Sequence, residues 1–258
     1  MPKMYDVHVH VPVDAGGPGK KVAALAEKYT KLDTFGNILG RDSRTVSGSV
    51  DVSNDYVAAV VKKYPQNFMG IGSVDPWMGK QAIYEAERAV KELGLKGLKF
   101  EPYRQEFFLN DPQFYPLWGK IQELGVPIMV HTGTIQNQGD HKLKYNEPIP
   151  YIDDVASDFP GLTIIACHPS FPWQDETLAM ATYKKNVFIE LSAGYPEDFS
   201  PNLVKFMNKG LQDKIMFGSG YPLFEPAEWV KQFRALPVSK EVQEKVLFKN
   251  ADRFFGLK

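Results

Sequence analysis

The stretch YDVHVH at residues 5–10 opens the chain with a short apolar run that holds two histidines one residue apart. A valine-rich run of this kind predicts a β-strand, here over residues 5–9. On a strand, residues i and i+2 point to the same face, with their Cα atoms about 6–7 Å apart. We therefore expect His8 and His10 to face one cation together, while Val9 faces the helical layer behind the strand.

Further apolar runs follow, and helical patterns separate them. The runs lie at residues 68–74, 95–100, 126–130, 162–166, 187–191 and 215–217, with helices predicted at 56–63, 81–93, 113–124, 173–183, 202–208, 227–236 and 240–248. Near-continuous apolar strands are typical of a parallel sheet covered on both faces. An eighth strand is expected within residues 35–50, although much of that segment has the pattern of a loop. The alternation predicts an α/β fold, a single (β/α)8 TIM-like barrel, with a doubly wound open sheet as the alternative.

Length and composition limit the class of protein. The chain has 258 residues and no linker-like segment, which predicts one domain over residues 1–258. Its net charge of −1 gives no reason to expect nucleic acid or anionic membrane as a partner. The single cysteine excludes an intramolecular disulfide, and no stretch has signal-peptide or membrane-span character, so a cytoplasmic location is expected.

Four of the five histidines lie at or just after the ends of predicted strands. His8 and His10 end the first strand, His131 follows the run at 126–130, and His168 follows the run at 162–166. In a barrel, functional groups sit at the carboxyl ends of the strands, so this distribution favours a metal or catalytic site over buried structural histidines. His141 lies in a polar stretch and is expected to be solvated.

A set of short motifs in a fixed order resembles the amidohydrolase superfamily, in particular the branch of aminocarboxymuconate semialdehyde decarboxylase. The resemblance covers nearly the whole chain. The motifs that carry it are YDVHVH at 5–10, SNDYV at 53–57, SVDP at 73–76, GLKGLKF at 94–100, VHTG at 130–133, CHP at 167–169, FGSGYP at 217–222 and KNA at 249–251.

The resemblance implies a distorted barrel with one divalent metal ion, most often zinc. It implies that His8, His10 and His131 are metal ligands and that His168 is the catalytic histidine that handles a proton. Three protein ligands with one open position are the arrangement of a catalytic metal, which lowers the pKa of bound water to about 7.

One position departs from the family pattern. The last strand normally ends in Gly-Ser-Asp-Tyr-Pro, but here Gly220 replaces the aspartate. Three explanations stay open: water takes the place of the carboxylate, the protein is a weakly active or inactive member, or the residue is a substitution. The nearest acids in sequence are Asp213, expected at the other end of the barrel, and Glu225, which would have to fold back.

Lys99 is the remaining polar candidate on a strand. In binuclear relatives a lysine of the fourth strand bridges two metals, but a second metal is not expected without the last-strand aspartate. Because a buried charge is costly unless paired, Lys99 is expected near the mouth, in an ion pair or binding an acidic substrate.

Three hypotheses of function follow. The first is a metal-dependent hydrolase, in which metal-activated water attacks an amide, ester or lactone. The second is a metal-dependent non-oxidative decarboxylase of an aromatic or dienoic acid, with Lys99 or Arg104 binding the carboxylate. The third is a weakly active or non-catalytic barrel. The expected partner is a small-molecule substrate, with a carboxylic acid as one candidate. Barrels of this branch often form homo-oligomers.

Overall fold

Eight parallel strands form the barrel of this computed structural model, which describes residues 3–134 and 141–256. Each strand pairs with the next in chain order. The ring is closed where the Val7 amide donates to the Phe217 carbonyl at 2.9 Å and Val9 bridges Tyr221 in parallel. The strands are β1 Met4–His10, β2 Thr34–Leu39, β3 Phe68–Ser73, β4 Leu98–Phe100, β5 Ile128–His131, β6 Ile164–Cys167, β7 Val187–Glu190 and β8 Ile215–Met216.

An outer helix follows each strand, so the predicted TIM barrel is confirmed. The helices are α1 Lys20–Lys31, α2 Asn54–Lys63, α3 Lys80–Lys91, α4 Tyr115–Leu124, α5 Tyr151–Asp158, α6 Gln174–Tyr183, α7 Pro201–Asn208 and α8 Pro226–Ala235. A further helical segment runs from Lys240 to Phe255. An antiparallel ribbon joins Arg41–Asp42 to Val50–Val52 between β2 and α2.

The core has two parts, as a barrel requires. Large apolar side chains fill the inside of the barrel, and a second cluster packs the strands against the helices. Val7 belongs to the inner cluster, whereas Val9 belongs to the outer one, as the sequence predicted for Val9. The pairing of β1 with β2 shifts register between Asp6 and Val9, and this irregularity allows both Val7 and His8 to face inward.

The poorly marked strand expected within residues 35–50 is present as the second strand of the barrel, Thr34–Leu39. Two helices differ from the sequence prediction, since α1 and α5 were not predicted. None of the helices in the described part of the chain is long and apolar enough to cross a membrane.

Candidate active site

A cavity of about 640 Å³ lies at the carboxyl ends of the strands. All of the predicted site residues line it: His8, His10, Lys99, His131, His168 and also Gly220. The structure therefore brings together residues that are up to 212 positions apart in sequence, since His8 and Gly220 line the same cavity. Its apolar wall is formed by Val11, Leu25, Tyr221, Leu223 and Phe224.

His8 is fully buried and bonded at both ring nitrogens. Its Nδ1 lies 2.8 Å from Oε1 of Glu190, and its Nε2 lies 2.8 Å from Nζ of Lys99. A carboxylate only accepts hydrogen bonds and an ammonium only donates, so Nδ1 carries the hydrogen and Nε2 offers its lone pair. Burial, followed by the charges of Lys99 and Arg41, holds the pKa of His8 well below its usual value, and the ring is neutral.

His10 shares this environment. Its ring centroid is 5.0 Å from that of His8, and Nη2 of Arg41 lies 3.3 Å from its Nδ1. Burial and then the charge of Lys99 lower the pKa of His10 well below its usual value. Both histidines of the first strand thus direct a nitrogen lone pair at a positively charged group.

His131 and His168 form a contact pair on the neighbouring strands. Nε2 of His168 lies 2.9 Å from Nδ1 of His131, and Nδ1 of His168 lies 2.8 Å from the hydroxyl of Ser192. Burial lowers the pKa of both rings well below the usual value, so they too are neutral. The backbone of His168 has a φ of +76°, a conformation that residues other than glycine rarely adopt. Such local strain is found mainly at functional sites.

Lys99 and Arg41 surround the buried carboxylate of Glu101. Nε of Arg41 lies 3.0 Å from Oε2 of Glu101, and Nζ of Lys99 lies 3.8 Å from Oε1. Although burial alone would raise the pKa of Glu101, the charges of Lys99 and Arg41 outweigh it and lower the pKa from 4.5 to about 2. Lys99 is only 2% exposed, deeper than the mouth position predicted, and the ion pair explains why its charge is tolerated there.

This ion pair predicts a pH dependence of stability. Because the folded pKa of Glu101 lies below the unfolded value, its contribution is present above pH 4.5 and is lost as pH falls towards 2. The shift corresponds to an upper limit of about 3 kcal/mol. Chemical unfolding of the parent and of Glu101→Gln from about pH 6 to about pH 3 should show their difference in unfolding free energy shrinking with acidification. A constant difference would contradict this.

The donor set fits a divalent cation. Neutral imidazoles are ligands for zinc and similar metals. In metal sites the ring nitrogen that does not bind the metal typically donates its N–H to a carboxylate, as Nδ1 of His8 does to Glu190. Within the described residues, the group whose donor atoms lie within 4.8 Å of one another is His8, Cys167 and Glu190, whereas His8, His10 and His131 line one cavity without meeting this distance. Burial raises the pKa of the Cys167 thiol, and Glu190 is already bonded to several donors, so the group with Cys167 is a poor metal site.

Lys99 competes with a metal for His8, which leads to a second prediction. A cation bound at Nε2 of His8 must displace the ammonium that now lies 2.8 Å away. Lys99→Met removes that positive charge, and two charges a few ångströms apart repel by several kcal/mol in a partly buried site. We expect zinc to bind at least about tenfold more tightly in this variant when titrated calorimetrically. Lys96→Met, at an exposed lysine just before β4, is the matched control, and equal affinities in both variants would refute the competition.

Gly220 is held close to the histidines by the first strand. Its amide donates to the carbonyl of His8 at 2.8 Å, and the neighbouring Ser219 donates through both its amide and its hydroxyl to Asp6. Burial raises the pKa of Asp6 to about 6 despite these bonds. Glu225 does not replace the missing carboxylate: it does not line the cavity, and it pairs at 2.7 Å with Lys28, which does.

Several functional groups were not predicted from the sequence. Glu190, Ser192, Glu101, Arg41 and Tyr103 all touch the histidine cluster or line the cavity. Glu190 had the same signal as the histidines, because it is the last residue of a barrel strand.

Two other residues lie at the edge of the site. His141 is exposed, with its ring 5.0 Å from that of Tyr103, and Arg104 pairs with Asp51 at 2.9 Å.

Comparisons with known proteins agree with this geometry. A family model described as amidohydrolase matches residues 5–257. The 2-amino-3-carboxymuconate-6-semialdehyde decarboxylase of Dictyostelium discoideum is 32% identical over 78 residues, which is 30% of this chain and only 22% of that relative. An uncharacterised TIM-barrel protein of Bordetella bronchiseptica has a TM-score of 0.83, with 26% identity over 97% of both chains.

A bound metal ion is present in a solved protein of similar fold. The dihydroxybenzoic acid decarboxylase of Polaromonas sp. was determined with bound manganese and the inhibitor 2-nitroresorcinol. It has a TM-score of 0.70 with this chain and 16% identity, and the match covers 99% of this chain and 97% of that one. At this identity the likeness concerns the fold alone.

Proposed function

Because this chain belongs to the amidohydrolase family, we propose that it is a metal-dependent decarboxylase of a small aromatic or dienoic carboxylic acid. Hydrolysis is the first hypothesis from the sequence. The relative from Dictyostelium discoideum supports the second hypothesis better, since it is a decarboxylase. The observation that carries the proposal is that the neutral histidines share one cavity with the positively charged Lys99 and Arg41.

The cationic groups are suited to hold a carboxylate. Lys99 and Arg41 both line the cavity, and Glu101 neutralises only part of their charge. A guanidinium binds a carboxylate through two parallel hydrogen bonds, which fixes its orientation as well as its position. Apolar side chains of the cavity lining, Leu25 and Phe224 among them, would contact the planar part of the substrate.

A divalent ion held by His8, His10 and His131 would orient the carboxylate and neighbouring hydroxyl oxygens of the substrate. Zinc is our first choice because neutral imidazole suits it. The reaction then needs a proton at the carbon that bears the carboxylate. The C–C bond breaks, its electron pair returns to the ring or diene, and CO₂ leaves.

We assign the proton transfer to His168. It lines the cavity and touches His131, so its ring lies beside the proposed metal ligands. Burial, followed by the neighbouring His131, lowers the pKa of His168 and keeps the ring neutral, and an anionic substrate beside it would stabilise the protonated ring. The exchange of a proton at a positioned histidine typically contributes about 10²–10⁴-fold to the rate.

Release of CO₂ tests the proposal directly. The zinc- or manganese-loaded protein should decarboxylate a member of a panel that includes dihydroxybenzoates and 2-amino-3-carboxymuconate semialdehyde. His168→Asn should lower kcat by about 10²–10⁴-fold with a smaller effect on metal content. Lactones and esters, assayed in parallel, should not be hydrolysed faster than by metal in solution. Turnover of a lactone without CO₂ release from any acid would return the assignment to hydrolysis.

A further inference from the structure

One face of the helix α1 forms part of the cavity wall. Lys21, Ala24, Leu25 and Lys28 all line the cavity, and residues three or four positions apart lie on the same side of a helix. From Lys21 to Lys28 the helix makes about two turns and rises about 10 Å. Leu25 is buried and Ala24 is small, so the two lysines stand at the ends of an apolar strip.

The basic side chains of the cavity lie at two depths. At the deep end, Nζ of Lys99 lies 2.8 Å from the His8 ring and Nη2 of Arg41 lies 3.3 Å from the His10 ring. Lys21 and Lys28, the rim lysines, are exposed and partly exposed respectively. Because a lining residue that reaches solvent marks the opening of a cavity, α1 supplies a basic region at the rim.

The charges of the cavity lining are unbalanced. Among its described residues, Lys21, Lys28, Arg41 and Lys99 are positive and Glu101 is the carboxylate, so Lys, Arg, Asp and Glu side chains give an excess of three positive charges. The whole chain, in contrast, has a net charge of −1. At the deep end Glu101 leaves one positive charge, which one substrate carboxylate would neutralise. A bound divalent ion would add to this deep charge and leave the rim unchanged.

The rim lysines differ in their partners. Nζ of Lys28 lies 2.7 and 2.8 Å from the two carboxylate oxygens of Glu225 and 4.5 Å from the centroid of the Tyr221 ring. Within the described residues, the hydrogen bond of the Lys21 ammonium is one of 3.5 Å to the carbonyl of Val13. This distance is long for a hydrogen bond, and an ammonium has three donors. Lys21 therefore keeps most of its capacity to bind an anion.

A nearby acid does not pair with the Lys21 ammonium. The carboxylate of Asp14 accepts hydrogen bonds from the backbone amides of Gly19, Lys21 and Val22 at 3.1–3.2 Å, at the start of α1. Since Glu225 offsets Lys28, about one positive charge remains at the rim, on Lys21.

We propose that the rim lysines form a second anion subsite and that the substrate is a dicarboxylate, with one carboxylate at Arg41 and Lys99 and the other at Lys21. The inference rests on the proposed function for the role of the deep carboxylate, and it adds the substrate class. The apolar strip with Leu25 would contact the carbon skeleton between the two acid groups. An exposed ion pair typically changes an equilibrium by about 1.5–5-fold, so the rim selects among acids.

Two pairs of acids that differ by one carboxylate test the subsite. trans,trans-Muconate and sorbate share a diene chain, and terephthalate and 4-methylbenzoate share a benzene ring. In each pair a methyl group replaces the second carboxylate. Calorimetric titration of the zinc-loaded protein should give a Kd about fivefold lower for the diacid in at least one pair. The preference should shrink with added salt, because salt screens exposed charges.

Lys21→Met should remove most of this preference. It should weaken diacid binding by about 1.5–5-fold and leave monoacid binding unchanged. Lys20→Met is the matched control, since Lys20 is an exposed lysine of the same helix turn that does not line the cavity. Glu225→Gln should act in the opposite direction and tighten diacid binding by a similar factor, because it frees Lys28 from its carboxylate partner.

The outcomes are distinct from those of the decarboxylase test. Equal affinity for diacid and monoacid in the parent, or equal effects of Lys21→Met and Lys20→Met on diacid binding, would overturn the rim subsite. Binding requires no turnover, so a protein that prefers the diacid through Lys21 and releases no CO₂ would support the subsite and refute only the proposed reaction.

Discussion

Simultaneous replacement of His8 and His10 by alanine is expected to remove the bound divalent metal and to abolish turnover. The purified parent should hold about one equivalent of metal, and the double variant almost none, because two of three protein ligands are lost. Loss of even an outer partner of a ligand costs about 10–100-fold in metal affinity, so loss of two ligands should exceed about 100-fold. Elemental analysis after dialysis against a weak chelator measures this directly.

The matched control for this experiment is His141→Ala. His141 is exposed and lies outside the lining of the cavity, so its removal should leave metal content and CO₂ release unchanged. Circular dichroism must show that the double variant is folded, because His8 also bonds to Glu190 in the barrel interior. A folded double variant that keeps one equivalent of metal would refute the histidine site and leave the barrel as the only part of the assignment intact.

The sequence predicts the barrel well because strands covered on both faces have a continuous apolar pattern. The second strand was indistinct because Gly36 interrupts it. A Cβ at Gly36 would lie 3.0 Å from the ring of Tyr29, so the glycine marks tight packing of α1 on the sheet, not a turn. The helix α1 begins at Lys20, and its N-cap residue Gly19 has no side chain to cap it, so the usual start signal is missing.

The histidines of the site were predictable, but their partners were not. Each histidine lies at the end of a strand, and this position can be derived from local pattern alone. The contacts from Glu190 to His8 and from Lys99 to His8 depend on barrel register, which joins residues 182 and 91 positions apart. A glutamate or lysine at a strand end also has many structural uses, so its role emerges only from these distances.

Gly220→Asp is expected to raise both metal affinity and the decarboxylation rate. The position faces the cavity, and a Cβ there would lie 3.5 Å from the Ala193 amide nitrogen and 3.6 Å from Cβ of Ser192, ordinary contact distances. The backbone is the obstacle, since φ is +72° and this conformation costs a residue with a side chain about 1–2 kcal/mol. Aspartate and asparagine tolerate it better than other residues, so the variant should fold with a modest loss of stability.

The gain should come from the carboxylate and not from the side chain as such. A new anion beside the histidines adds attraction for the metal and a group that can accept a proton, a role that typically contributes about 10²–10⁴-fold to the rate. Gly220→Asn has nearly the same shape and backbone strain without the charge, so it should match the aspartate variant in thermal stability and the parent in activity. If the Asp and Asn variants behave alike in metal titration and in CO₂ release, the lack of a carboxylate at position 220 does not weaken metal binding or turnover. The positive charges of Lys99 and Arg41 beside His8 and His10 would then be the cause of weak metal binding.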